Sequence, residues 1–364
     1  MSSKYHLPAL ISILSLAVTC YTNSSALAGP RHELQANPVA EGWVRERVAA
    51  GDLANLKERF PNEADRVLSA SFIERLLTDR LSDLRMPRHG VRIAYGAVVG
   101  SVDLEDAEID HEAHLIGIRF EDDLNFSRST FLKGLSLAES SFKKANFNRM
   151  KVNGDFAADG AQFTSPTLGA DFEGMKVGGT VSLRQTVFAG PADFHRADVG
   201  GDFVADGAPF TNTEQTAEFR GLRVGGDVLL LKAVFAGSVS FLNADIGGNF
   251  EADGAQFTNA TGTPSFEIMK VGGWVLFPEA IFAGGVDFRV ASIGANGSNL
   301  VLDGARFTNS EREATFNSMK VGGAADFHGT SFAGPVDLLP PMWGLLRRKA
   351  PDSATQSSTH GSTA

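Results

Sequence analysis

Cysteine is almost missing: the single Cys20 leaves no thiol pair for disulfide or dithiol chemistry. Long apolar runs are missing too. After Leu7 to Cys20 no stretch reaches the ~18 to 20 apolar residues of a membrane span. Basic charge is outweighed, with 33 Lys and Arg against 43 Asp and Glu and a net charge of −10, which argues against a nucleic-acid footprint. There is no G-x-S-x-G elbow, no phosphate loop and no G-x-G-x-x-G after a strand. His111-Glu112-Ala113-His114 spaces its histidines by three rather than the four of a zinc helix, so no metal or cofactor is expected there. An enzyme is therefore not expected.

What the chain has is repetition. Phe172, Phe219 and Phe266 stand 47 residues apart and Phe316 follows 50 later. One unit runs Phe172, Val177, Leu183, Phe188, Phe194, Val199, Ala205 and Phe210, and the next two reproduce it from Phe219 and from Phe266. A half unit at Phe316, Val321, Phe327, Phe332 and Leu338 follows, and a looser version begins at Val99. Steps of five or six residues fit neither a helical turn nor strand alternation, so the chain turns at every step. Four steps make a coil of 22 residues, and the 47-residue unit is two coils, one carrying about three extra residues at one corner.

The corners carry turn residues. Pairs such as Gly200-Gly201 and Gly247-Gly248 follow an apolar anchor, and Asp-Gly recurs at Asp159, Asp206, Asp253 and Asp303. Positive φ is the expected reason for these glycines. The aspartates sit two coils apart, too far for one calcium ion to bridge, and are read as turn residues. Most of the 27 phenylalanines fall on anchors and are expected to fill the core. The whole describes an all-β parallel solenoid.

Triplets such as Ala145-Asn146-Phe147, Ala170-Asp171-Phe172, Ala192-Asp193-Phe194 and Ala325-Asp326-Phe327 give the chain a further identity. They resemble the A-(D/N)-L-x-x unit of pentapeptide-repeat proteins over roughly Val91 to Leu338. The resemblance implies a right-handed quadrilateral β-helix with the small and the large residue both pointing inward. It departs from strict fives in its six-residue steps, its glycine pairs and its aromatic anchors.

The expected organisation is a signal peptide over 1–28, a linker over 29–41, a helical cap over 42–90, the solenoid over 91–339 and a C-terminal cap with a disordered tail over 340–364. The leader reading rests on Lys4, the apolar run and Ala26-Leu27-Ala28, and implies export to the periplasm or beyond. Trp43 to Phe60 and Ser71 to Leu84 show helical spacing, with a capping box at Ser71 and Glu74, and should cover the open end of the solenoid. Pro340 and Pro341 should stop strand pairing.

Two candidate working surfaces emerge. Longer corners recur at Thr164, at Thr211 and Asn212, at Thr258 and Asn259, and at Thr308 and Asn309, forming a comb of loops on one edge where repeat proteins usually bind. A basic row, Lys176, Arg223, Lys270 and Lys320, contributes one charge per unit. The reading is a non-catalytic exported scaffold that meets a protein or a cell-envelope component, with homo-oligomers open to it. Two rivals stand beside it. Acidic rods of the resembled family imitate DNA and bind gyrase, which needs a cytoplasmic location. A polysaccharide-active β-helix needs clustered carboxylates, and the loops offer only Glu214, Glu311 and Glu313.

Overall fold

The computed structural model describes residues 34–78, 86–294 and 297–338, together with the backbone of 342–347. The proposed leader over 1–28 and the tail beyond 347 lie outside the described residues. From Val91 onward the chain is a parallel β-solenoid with four faces. One circuit shows the plan: Phe203–Val204 lies on the first face, Pro209–Phe210 on the second, Ala217–Glu218 on the third and Arg223–Val224 on the fourth. Each strand is only two residues long and has no stability of its own, so pairing with the coils before and after holds it in place. The second face has twelve strands, the first of them Val67–Ser69 from the cap, and so eleven coils.

The coil arithmetic holds. Asp227 meets Asn249 after 22 residues, whereas Asp202 meets Asp227 after 25. The three extra residues of the longer coil fall between the second and third faces, where Phe210 leads to Ala217 instead of Phe235 to Val239. The 50-residue unit has a separate cause. A second insertion sits between the fourth and first faces, where Ile293 leads to Leu300 in place of Ile246 to Phe250.

The interior is aromatic. Ten phenylalanines of the second face, from Phe120 to Phe332, form one unbroken stack with centroids 4.6 to 5.2 Å apart. Eight more line the third face from Phe147 to Phe316. The two columns meet edge to face, as at Phe188 and Phe194. Offset stacks and edge contacts are the arrangements the ring quadrupole favours, and burying each ring contributes about 1.5 to 3 kcal/mol. The fourth face is lined instead by aliphatics such as Val177, Val199 and Ile246.

The first face corrects the anchor list. Ala205 and Ala252 do point inward, but Phe203 and Phe250 two residues earlier are the large buried groups. Adjacent coils reverse the order: Phe203 with Ala205, then Val228 with Leu230, then Phe250 with Ala252. From Phe156 and Ala158 to Phe250 and Ala252 large and small residues alternate along both columns, so the volume per coil stays nearly constant there.

The glycine corners split into two kinds. Gly160, Gly207, Gly254 and Gly304 of the Asp-Gly pairs do have positive φ, between 63° and 67°. Gly200, Gly225 and Gly247 do not. A Cβ on Gly225 would stand 2.3 Å from the carbonyl oxygen of Gly200 one coil back, so close approach of stacked coils, not φ, excludes side chains there.

The cap is only partly helical. Helix Pro38–Ala49 ends before Gly51, whose φ is 76°, and the predicted continuation to Phe60 is interrupted by strand Ala54–Asn55, which pairs with Ile93–Ala94. Val67–Ser69 pairs with Ala97–Val99, and helix Ala70–Leu77 lies across Val102–Asp103. The open edge is thus met by two strands and one helix, with Glu74 Oε1 accepting the Asp103 amide at 2.8 Å. The N-cap of Ala70–Leu77 is Ser69 rather than Ser71, its hydroxyl accepting from the Phe72 amide. At the other end Met342–Arg347 pairs in parallel with Lys320–Asp326. Strand pairing is therefore present again at Met342, while Pro340 and Pro341, on which the expected stop rested, lie outside the described residues.

Candidate functional site

The four long corners form the predicted comb on the edge between the second and third faces, at 164–169, 211–216, 258–263 and 308–313. Their threonine hydroxyls are engaged within the stack. The hydroxyls of Thr164, Thr211, Thr258 and Thr308 donate to the carbonyls of Phe142, Phe188, Phe235 and Phe282 in the coil before, at 3.0 to 3.4 Å. The next residue in each loop folds the loop around itself. Asn212 Oδ1 accepts the amides of Glu214 and Gln215, Asn259 Oδ1 those of Thr261 and Gly262, and Asn309 Oδ1 those of Glu311 and Arg312. Ser165 takes this role in the first loop. These are Asx and Ser turns, which explain the residue types without a ligand.

The loops are also tied to one another. Asn212 Nδ2 donates to the carbonyl of Pro166 in the loop two coils back, at 2.9 Å, and Asn309 Nδ2 does the same to Ala260. Asn259 Nδ2 reaches only Ser238 Oγ of the intervening plain coil, at 3.5 Å. The comb is therefore two tied pairs. Its outward surface includes Thr211 and Thr308 together with Thr167, Leu168, Glu214, Gln215, Glu311 and Arg312.

The basic row stands on the fourth face, but not as a continuous strip. In register, Lys176 lies beside Asp198, Asp198 beside Arg223, Arg223 beside Asp245 and Asp245 beside Lys270. Ser292 separates Lys270 from Lys320. From Lys176 to Lys270 the column alternates in sign because each position alternates between the two coil types, and Lys151 precedes Lys176 without a change of sign.

The Asp-Gly aspartates serve the next coil. Asp159 Oδ1 accepts from the Arg184 amide and the Ser182 hydroxyl, and Asp206 Oδ1 from the Leu231 amide. Asp253 Oδ1 is buried without a partner, and burial, then the charge of Glu251, pushes its carboxyl up. On the third face Asp171 and Glu218 are also pushed up, chiefly by burial and further by Asp193. His114 lies on strand Ala113–Ile116 with Nε2 3.6 Å from Glu112, and burial pushes its imidazole down. No group of three or more metal-ligating side chains converges among the described residues.

One ladder went unread in the sequence. Asp155, Asp202, Asp227, Asn249 and Asn299 each accept a backbone amide of the next coil through Oδ1, at 2.6 to 2.9 Å. The signal was present as Asp or Asn directly after a glycine in four of the five, Asn299 following Ser298. No family model, no curated protein and no solved structure matches this chain.

Proposed function

We propose that this is an exported, non-catalytic repeat protein of the pentapeptide-repeat kind, acting as an interaction or structural scaffold at the cell envelope. The observation that carries this reading is the tying of the loop comb, in which the side chains of Asn212 and Asn309 hold neighbouring loops together. A surface ordered before it meets a partner loses little conformational freedom on binding, which favours a recognition role over a mere spacer. The Ala26-Leu27-Ala28 leader supports export.

The test is affinity capture from envelope extracts, with the parent and a variant whose four long corners are cut to the plain length of Phe235 to Val239. A partner retained by the parent and lost by the variant supports the comb as the binding face. Equal recovery from both discards it. Fusing residues 1–28 to a reporter active only outside the cytoplasm tests export separately.

A further inference from the structure

Four of the six large apolar side chains exposed among the described residues gather on the fourth face or its borders. Leu132 directly follows strand Thr130–Phe131 of that face. Ile268 and Val290, 41% and 52% exposed, follow one another on the border with the third face, and Trp274, 44% exposed, stands on the border with the first. Ile268 and Val290 have φ of 58° and 60°, a conformation that disfavours β-branched residues. Trp274 occupies the place held elsewhere by Asp202, Asp227 and Asn249. Its indole offers no acceptor, so the amide ladder is interrupted where this side chain is displayed.

From Lys176 to Lys270 the outward charges of the same face alternate from coil to coil, with Lys151 before them and Ser292 and Lys320 after. Between two copies related by a twofold, such a strip is self-complementary in one direction only. Laid against itself in parallel, like would meet like. Laid antiparallel about a twofold axis between the coils of Arg223 and Asp245, Arg223 meets Asp245 of the partner subunit and Lys270 meets Asp198 of the partner subunit. Lys176 meets the neutral Ser292 of the partner subunit, and only at the outer ends does Lys151 face Lys320 of the partner subunit. Trp274 then falls opposite Asp202 of the partner subunit, the residue at the same place in that coil.

We propose that the fourth face is the seam of an antiparallel homodimer. Two copies satisfy the conditions of an isologous contact: one patch, complementary to itself, with apolar groups at its borders. At about 4.8 Å per coil the strip from Lys176 to Lys320 is about 30 Å long, which makes a small interface and a dimer that depends on concentration and salt. The loop comb lies on the edge diagonally opposite the Trp274 border, so both combs stay open, and the dimer stands or falls apart from the comb's role.

Sedimentation velocity of the full chain across a concentration series at low salt is expected to show a species of twice the chain mass that dissociates as salt is raised. Asp198→Lys with Asp245→Lys makes the strip uniformly basic and is expected to raise the dissociation constant roughly tenfold or more. Lys176→Asp, Arg223→Asp and Lys270→Asp together make it acidic throughout 176–270, with the same loss. Mixing the two folded variants, checked by circular dichroism, is expected to restore a heterodimer. A parent that stays monomeric, a basic variant that dimerises as the parent does, or a mixture that fails to associate would each overturn the proposal.

Discussion

Asp227 Oδ1 accepts the backbone amide of Asn249, one coil further on, at 2.6 Å, and a Cβ on Gly248 would stand 2.1 Å from that same oxygen. The acid and the glycine therefore require each other. Gly248→Ala is expected to cost about 1 to 3 kcal/mol by crowding a packed corner. Asp227→Ala, which removes the acceptor, is expected to cost about 1 to 3 kcal/mol, while Asp227→Asn keeps the bond and stays close to the parent. Urea unfolding distinguishes the three, and an unaffected Gly248→Ala would break the link.

Phe241 stacks between Phe219 at 4.5 Å and Phe266 at 5.6 Å, with Phe250 edge-on at 5.2 Å. Phe241→Ala is expected to lose about 3 to 5 kcal/mol. Phe241→Asp places a charge in the column and should unfold the array locally or wholly. Circular dichroism during heating reads both, and a Phe241→Asp chain melting like the parent would contradict the packing.

The size alternation on the first face makes a coupled prediction. Phe203→Val and Ala205→Leu should each destabilise, one by leaving a void and the other by overfilling. Together they reproduce the Val228 and Leu230 arrangement of the next coil. The double variant is expected to recover roughly 1 kcal/mol or more relative to additivity in a double-mutant cycle.

Burial raises the carboxyls of Asp171, Glu218 and Asp253 above their ordinary values of 3.8, 4.5 and 3.8. In the folded state they hold protons that the unfolded chain releases, so stability falls as pH rises through this range toward neutral. Acidification from neutral toward about pH 4.5 should therefore stabilise the solenoid through these groups. Glu218→Gln should raise the melting temperature at neutral pH and flatten its pH dependence. An unchanged profile would remove Glu218 from the account.

Asn212 both folds its own loop and ties it to Pro166. Asn212→Ala should leave the melting temperature nearly unchanged, since the loop lies outside the ring stacks, yet speed amide exchange at Glu214 and Gln215. Protection equal to the parent at both amides would show that the loop is held otherwise.

Much of the fold was legible because the anchors repeat with the coil. Phe188, Phe194 and Phe210 were placed inward from spacing alone, and the extra residues of the long corners were put on one edge. The first face was misread at Phe203 because it offers two inward positions, and only their combined volume is constrained. The glycine corners were found but given the wrong cause, since a clash with Gly200 one coil back leaves no local mark on Gly225. The comb was located, but the engagement of Thr211 and Asn212 was not, because their partners at Phe188 and Pro166 are 23 and 46 residues away.

The period of the chain determined by itself that it coils, how many residues make a circuit and which side chains fill the tube on three of its faces. Register decided the rest. Strands of two residues acquire partners only by stacking, so what Lys176 faces is set by Asp198 in the next coil rather than by any neighbour along the chain. A row of cations read from every second coil became an alternating column for that reason, and the polar ladder at Asp227 existed only once Asn249 lay against it.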